Sequence, residues 1–212
     1  MADPEKFAQA LFKGSVEEVK KLTQEGLDRG EKAEDVLNQG LIKAMEQVGA
    51  KFKNCEIYIP EVLIAARAMH AGLGVLKPLL AKSTSSTAAK IILGTVQGDL
   101  HDIGKNLVGM MLEGGGFEVV DIGIDVPPEK FIQAAKDHGA QMIGMSALLT
   151  TTMMQMKATI EALKASGLKD GIKTIIGGAP VTEEFARNIG ADGYAPDAAS
   201  AVDQLKKLLK RV

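Results

Sequence analysis

In the N-terminal part of the chain, apolar residues recur at helical spacing. Val36, Leu37, Leu41, Ile42, Met45 and Val48 share one side of a helix predicted over about 33–52. Pro60 opens another, in which Val62, Leu63, Ala66, Met69 and Leu73 fall together. Ser15-Val16-Glu17-Glu18 has the form of a capping box and starts a short amphipathic helix. With a segment near Phe7–Phe12 these make about four helices, enough for a small bundle.

After the small polar stretch Ser83-Thr84-Ser85-Ser86-Thr87 the period changes. Short apolar runs at Ile91–Val96, Phe117–Ile122, Met142–Ser146, Thr174–Ile176 and, more weakly, Gly193–Ala195 read as strands. Between them Ile103–Leu112, Glu129–Asp137, Met153–Ala165, Thr182–Asn188 and Ala198–Leu209 read as helices. Strands alternating with helices predict an α/β domain, a doubly wound parallel sheet of flavodoxin or Rossmann type with five strands. The expected organisation is a helical domain at 1–82 and an α/β domain at 88–212. In such sheets ligands bind beyond the carboxyl ends of the strands, at the switch in strand order.

Composition narrows the function. The 212 residues carry a net charge of −2, with 46% hydrophobic and 25% charged residues, an ordinary balance for a globular protein. No stretch concentrates Lys and Arg as a phosphate-binding surface would need, which disfavours nucleic acid as a partner. Cys55 is the only cysteine, so an intramolecular disulfide or an all-cysteine metal site is excluded and a reducing cytoplasm fits. Cys55 is expected to fill space near a loop of the helical part. Met1-Ala2-Asp3-Pro4-Glu5-Lys6 leads into no apolar signal segment. The long uncharged run between Asp137 and Lys157 is too polar for a bilayer and reads as a buried strand entering a loop and helix, its methionines filling core. No membrane is expected as a partner. His70 and His138 read as solvated or capping groups.

The chemistry lies in Gly98-Asp99-Leu100-His101-Asp102-Ile103-Gly104-Lys105-Asn106, just past the first strand. A neutral imidazole offers one nitrogen to a metal while the other donates a hydrogen bond, usually to a carboxylate. Asp99 is placed to accept that bond; Asp102, adjacent to His101, is the weaker candidate. The plain alternative is a surface loop in which Asp99 or Asp102 caps the helix from Ile103 and His101 is solvated. An isolated Asp-x-His-x-x-Gly favours that alternative, because short motifs match often by chance. A place at the first strand end of a doubly wound sheet favours the ligand.

This stretch resembles the cobalamin-binding signature of corrinoid proteins and of cobalamin-dependent methionine synthase. Ser146-Ala147-Leu148 at the third strand resembles the family's Ser-x-Leu, and Gly177-Gly178 closes the fourth strand in the same order. Val48-Gly49, Phe52 and Tyr58-Ile59-Pro60-Glu61 are similar to the family's helical cap. The resemblance implies that His101 replaces the cofactor's benzimidazole as the lower cobalt ligand. It further implies that Asp99 holds the other nitrogen of His101 and that Thr152, often Ser in the family, bonds Asp99. Gly98, Asp102, Ile103, Gly104 and Leu148 belong to the same implied cobalamin site. Ser146 and Thr150 would contact the displaced nucleotide tail, which would run past Gly177 and Gly178. Tyr194 and Ala198 would line the far wall, and Tyr58, where the family usually has Phe, would cover the upper corrin face.

The function so implied is that of a methyl carrier. It would accept a methyl group on cobalt from a substrate-specific methyltransferase. It would pass that group to a second methyltransferase, corrinoid:tetrahydrofolate or corrinoid:coenzyme M. A reductive activator would be a further partner. No residues for activating a methyl donor are evident, so the chain is expected to be a subunit in one-carbon metabolism rather than a complete enzyme. A cobalamin-binding regulator would need a DNA-binding module, and none is visible. A mutase subunit would need a large barrel elsewhere, and a flavodoxin-like nucleotide binder leaves His101 without a role.

Overall fold

The computed structural model describes residues 2–80 and 89–209; the expected join at 83–87 lies outside them. The chain divides into two compact units, Met1–Ala88 with Gly114–Gly116, and Ala89–Glu113 with Phe117–Val212.

The first unit is helical. Helix α1, Pro4–Phe12, starts at Asp3, whose side chain accepts from the Glu5 N–H. Helix α2, Val16–Asp28, begins where the capping-box pattern places it, yet the Ser15 hydroxyl makes no capping bond. The helix predicted over 33–52 is a composite. A short α3, Ala33–Asp35, runs into a π-helical stretch, Val36–Ile42, and then into α4, Lys43–Lys53. Within the π stretch, Gly40 lets the Phe7 ring approach so closely that a Cβ would lie 2.8 Å from it. Helix α5, Ile59–Leu80, starts at Tyr58, whose N–H donates to Glu61 Oε2 at 3.0 Å, a capping device invisible to a search for Ser or Thr. Its Val62, Ala65, Ala66, Ala68, Met69, Gly72 and Leu76 are buried against α1, α2 and α4. Among the described residues α5 is the one helix long and apolar enough to cross a membrane, a test that the core helix of a bundle also passes. Cys55 corrects an expectation: it is exposed, in the left-handed region at φ 57°, and fills no space.

The second unit is the doubly wound sheet. In order it comprises β1 Lys90–Thr95, α6 Ile103–Gly114, β2 Glu118–Asp121, α7 Pro128–His138, β3 Met142–Ser146, α8 Met154–Ala165, β4 Lys173–Gly177, α9 Glu183–Ile189, β5 Gly193–Ala195 and α10 Ala198–Leu209. All pairings are parallel, in the order β2-β1-β3-β4-β5. Central strands buried on both faces must be almost continuously apolar, which is why β1 and β3 announced themselves in the sequence. One face carries Ile92, Ile143, Met145 and Ile176 against Phe131, Ile132, Met156, Ile160 and Leu163 of α7 and α8. Strand order reverses between β1 and β3, whose ends align at Thr95 and Ser146. The fold therefore opens its ligand crevice at those two ends.

Candidate functional site

At that reversal the loop after β1 meets the loop after β3, and Asp99 is the meeting point. Its side chain is fully buried, 0% exposed. One oxygen accepts from His101 Nδ1 at 2.7 Å and from the His101 N–H at 3.1 Å. The other accepts from the Leu148 N–H at 2.8 Å, the Leu149 N–H at 3.1 Å and Thr152 Oγ1 at 2.8 Å. Thr152 Oγ1 also lies 2.9 Å from the Leu149 carbonyl, but its single proton goes to the ionised acceptor, the stronger of the two.

Burial alone would raise the pKa of Asp99. The hydrogen bonds from His101, Leu148 and Thr152 outweigh it and hold the carboxyl well below the usual carboxylate range. The group is therefore ionised at neutral pH and can only accept. It follows that Nδ1 of His101 carries a proton, and that Nε2 of the neutral ring carries the lone pair. The ring is 51% exposed.

The His101 backbone is fixed as well. Thr95 Oγ1 donates to the His101 carbonyl at 2.8 Å, and the Asp99 N–H donates to the Val96 carbonyl at 3.1 Å. Gly98 takes φ +81°, which only glycine adopts readily. Asp102 does not support His101; its carboxylate accepts from Asn106 Nδ2 at 3.1 Å, at the start of α6. Lys105, on the first turn of α6, is buried and ion-paired with Asp121 at the end of β2, with Asn106 Oδ1 at 2.7 Å.

These residues fit a cobalt corrinoid on three counts. A half-exposed imidazole with Nδ1 held by a carboxylate is a monodentate nitrogen donor already in the required tautomer. The large exposed hydrophobics of this unit, Leu100, Ile103, Ile124, Leu148, Leu149 and Met154, all sit on loops or first turns beyond β1, β2 and β3. Such an apolar rim around one polar donor suits a flat macrocycle. Gly104 is exposed on α6, where a Cβ would meet nothing of this chain. The missing Cβ leaves room for a flat group to lie close over the first turn of α6.

The remaining expected contacts are placed as follows. Ser146 and Gly177 are paired across β3 and β4, half-buried at the same edge, and Thr150 is exposed in the next loop. Gly178, at φ +127°, is glycine for a reason of its own: a Cβ would sit 1.9 Å from the Ala147 carbonyl oxygen. Tyr194 is half-buried on β5 and Ala198 is buried at the start of α10. Tyr58 belongs to the helical unit, exposed at the start of α5. Sequence reasoning missed Thr95, Leu149, Lys105, Asp121 and Asp125. Lys105 stood inside the motif, and a lysine on the first turn of a helix against a buried sheet was the available signal. The Leu149 contact is made by a backbone amide, which no side-chain pattern encodes.

Comparison with known proteins agrees with this geometry. The B12 binding domain model matches residues 89–203, and a second B12 binding domain model matches residues 4–77. A corrinoid protein of Desulfitobacterium hafniense strain Y51 is 43% identical over 204 residues, covering 95% of this chain and 94% of that protein. A dimethylamine corrinoid protein of Methanosarcina barkeri is 47% identical over 176 residues, covering 82% of this chain and 83% of its own length. The crystal structure of the methanol:cobalamin methyltransferase complex MtaBC from Methanosarcina barkeri contains a chain that superposes with a TM-score of 0.85 at 30% identity. That match covers 98% of this chain and 79% of the other.

Proposed function

The chain belongs to the cobalamin-binding corrinoid proteins of methyltransferase systems, and we propose that it shuttles a methyl group between two partner enzymes, with His101 as the lower ligand of cobalt. The observation that carries the reading is the hydrogen-bonded chain from His101 Nδ1 through the buried Asp99 to Thr152 Oγ1.

Cobalamin, when bound, supplies a cobalt that can take and give up a methyl group. The protein's part is to hold and tune its lower side. Asp99 fixes the tautomer and tilt of His101, and Nε2 would be the nitrogen left to hold the cobalt. Because Asp99 is ionised, it would also offset positive charge carried by the His101 ring. Thr152 and the Leu148 and Leu149 amides keep that carboxylate from turning toward any other donor. Ile103, Gly104 and Leu148 would lie against the macrocycle, with Gly98 and Asp102 shaping the loop. Ser146, Thr150, Gly177, Gly178, Tyr194 and Ala198 would border the nucleotide tail. Tyr58 would cover the upper face.

On this reading the methyl donor is chosen by a substrate-specific methyltransferase. The acceptor, tetrahydrofolate or coenzyme M, is chosen by a second one, and a reductive activator restores the carrier after oxidation. The carrier is a subunit of a cytoplasmic system and is not catalytic alone. The regulator and mutase readings lose ground, since the relatives reported above are corrinoid proteins and one similar structure comes from a methyltransferase complex. The names of the relatives put dimethylamine and methanol first among the donors to try. The protein loaded with cobalamin should be methylated by a dimethylamine or methanol methyltransferase plus its substrate, and should methylate tetrahydrofolate or coenzyme M when the second enzyme is added. Stable cobalamin binding with no methylation by either system would remove these donors. Failure of the His101→Ala protein to differ from wild type in cobalt ligation would remove the ligand assignment.

A further inference from the structure

The end of β2 and the segment after it touch the His101 loop on both of its sides. Ahead of His101, Asp125 Oδ1 accepts from the Gly98 N–H at 2.7 Å, and the Asp125 N–H donates to the Asp99 carbonyl at 3.1 Å. Beyond His101, Asp121 pairs with the buried Nζ of Lys105 on the first turn of α6. The segment is itself pinned: the Gly123 N–H donates to Asp121 Oδ1 at 2.9 Å, and the Val126 N–H donates to the Thr95 carbonyl at 3.0 Å.

Asp125 has the further mark of φ +52°, a conformation that costs a non-glycine residue about 1 kcal/mol or more. Only one other non-glycine among the described residues, Cys55, shares a positive φ. Asp125 is exposed, so no burial offsets the cost. What the conformation does accomplish is to aim one N–H and one carboxylate at two consecutive residues, at the Asp99 carbonyl and the Gly98 N–H. The side-chain chain of Asp99 and Thr152 orients the imidazole ring; the segment after β2 holds the backbone from which that ring projects.

We propose that Asp125, aided by the Asp121–Lys105 pair, is a positioning element for the metal ligand, bracketing His101 so that its backbone is set before cobalamin arrives. The inference rests on the reading of His101 as the cobalt ligand. Preorganisation of this kind lowers the ordering cost that a mobile ligand loop would add to binding.

Two substitutions separate the hydrogen bond from the backbone conformation. Asp125→Gly accepts the positive φ but removes the acceptor for Gly98. Asp125→Asn keeps an acceptor oxygen and also tolerates the left-handed region. In the cobalamin-free protein, amide exchange at Gly98 should speed up about three- to tenfold in Asp125→Gly, the loss expected for one hydrogen bond, and stay near wild type in Asp125→Asn. With cob(II)alamin added to the full chain, electron paramagnetic resonance should show a smaller fraction of histidine-ligated cobalt in Asp125→Gly at unchanged corrinoid stoichiometry. Asp125→Asn should restore that fraction. Unchanged Gly98 exchange and ligated fraction in Asp125→Gly would overturn the proposal, and so would equal losses in both variants. Absence of histidine coordination in the wild type would sink the ligand reading, and the positioning role with it. Faster Gly98 exchange in Asp125→Gly would then still show that the bracket exists.

Discussion

Asp99 makes a demand that an amide cannot meet. Both of its oxygens accept, one from two donors of His101 and the other from Leu148, Leu149 and Thr152. In Asp99→Asn one of those sides must face an NH2 group. If it faces His101, Nδ1 becomes the acceptor and the proton moves to Nε2, which can no longer bind metal. If it faces the Leu148 loop, buried donors oppose donors. The variant should therefore lose about 1–3 kcal/mol of folding stability in a urea titration, and cobalt ligation should weaken on the order of ten- to a hundredfold. The same carboxylate sets a pH dependence. A folded pKa below the unfolded value of about 3.9 gives stability that is complete at neutral pH and is lost as pH falls below about 4. Asp192 adds to the same slope: burial works against it, but its bonds to Lys169 and Thr174 hold its pKa low. Urea midpoints measured from pH 6 downward should fall more steeply for wild type than for Asp99→Asn; identical slopes would remove Asp99 from the account. The imidazole and its carboxylate were legible from one short motif. The Thr95 bond to the His101 carbonyl was not, because threonine in a buried strand reads equally as filler.

At the scale of elements, the sheet was readable where burial on both faces forces an apolar run, as in Met142–Ser146, and where turns are punctuated by glycine or proline. The π-helical turn at Val36–Ile42 escaped because its apolar spacing still satisfies an α-helical template. Gly177-Gly178 was read as room for a ligand, whereas Gly178 answers first to the Ala147 carbonyl. Gly178→Ala should accordingly destabilise the protein by several kcal/mol through backbone displacement and unnatural φ, and should disturb the Leu148 and Leu149 amides that hold Asp99. Thermal unfolding of the cobalamin-free protein tests this; a variant as stable as wild type would show that the strand ends are free to part. The Asp121–Lys105 pair makes a prediction of order. Removing the more exposed partner leaves a buried cation, so Asp121→Ala should cost more stability than Lys105→Met. The reverse order would mean that the Lys105 ammonium is held more by Asn106 than by Asp121.

For the whole molecule, the change from helical to alternating periodicity marked two parts of the chain, and the described residues form two compact units. The unit that holds His101, Asp99 and Thr152 carries its own sheet, helices and core. A fragment covering 89–212 should fold and bind cobalamin with histidine coordination; a fragment that folds but leaves cobalt to its benzimidazole would place essential ligand-setting contacts in 1–88. The central claim is narrower and has a direct test. The intact protein is prepared with natural or ¹⁵N-labelled histidine, loaded with cob(II)alamin and examined by electron paramagnetic resonance. Coordination by Nε2 of His101 predicts superhyperfine triplets that become doublets on histidine labelling and vanish in His101→Ala. Triplets that survive labelling and the substitution alike, and change only when the cofactor's benzimidazole is labelled, would contradict it.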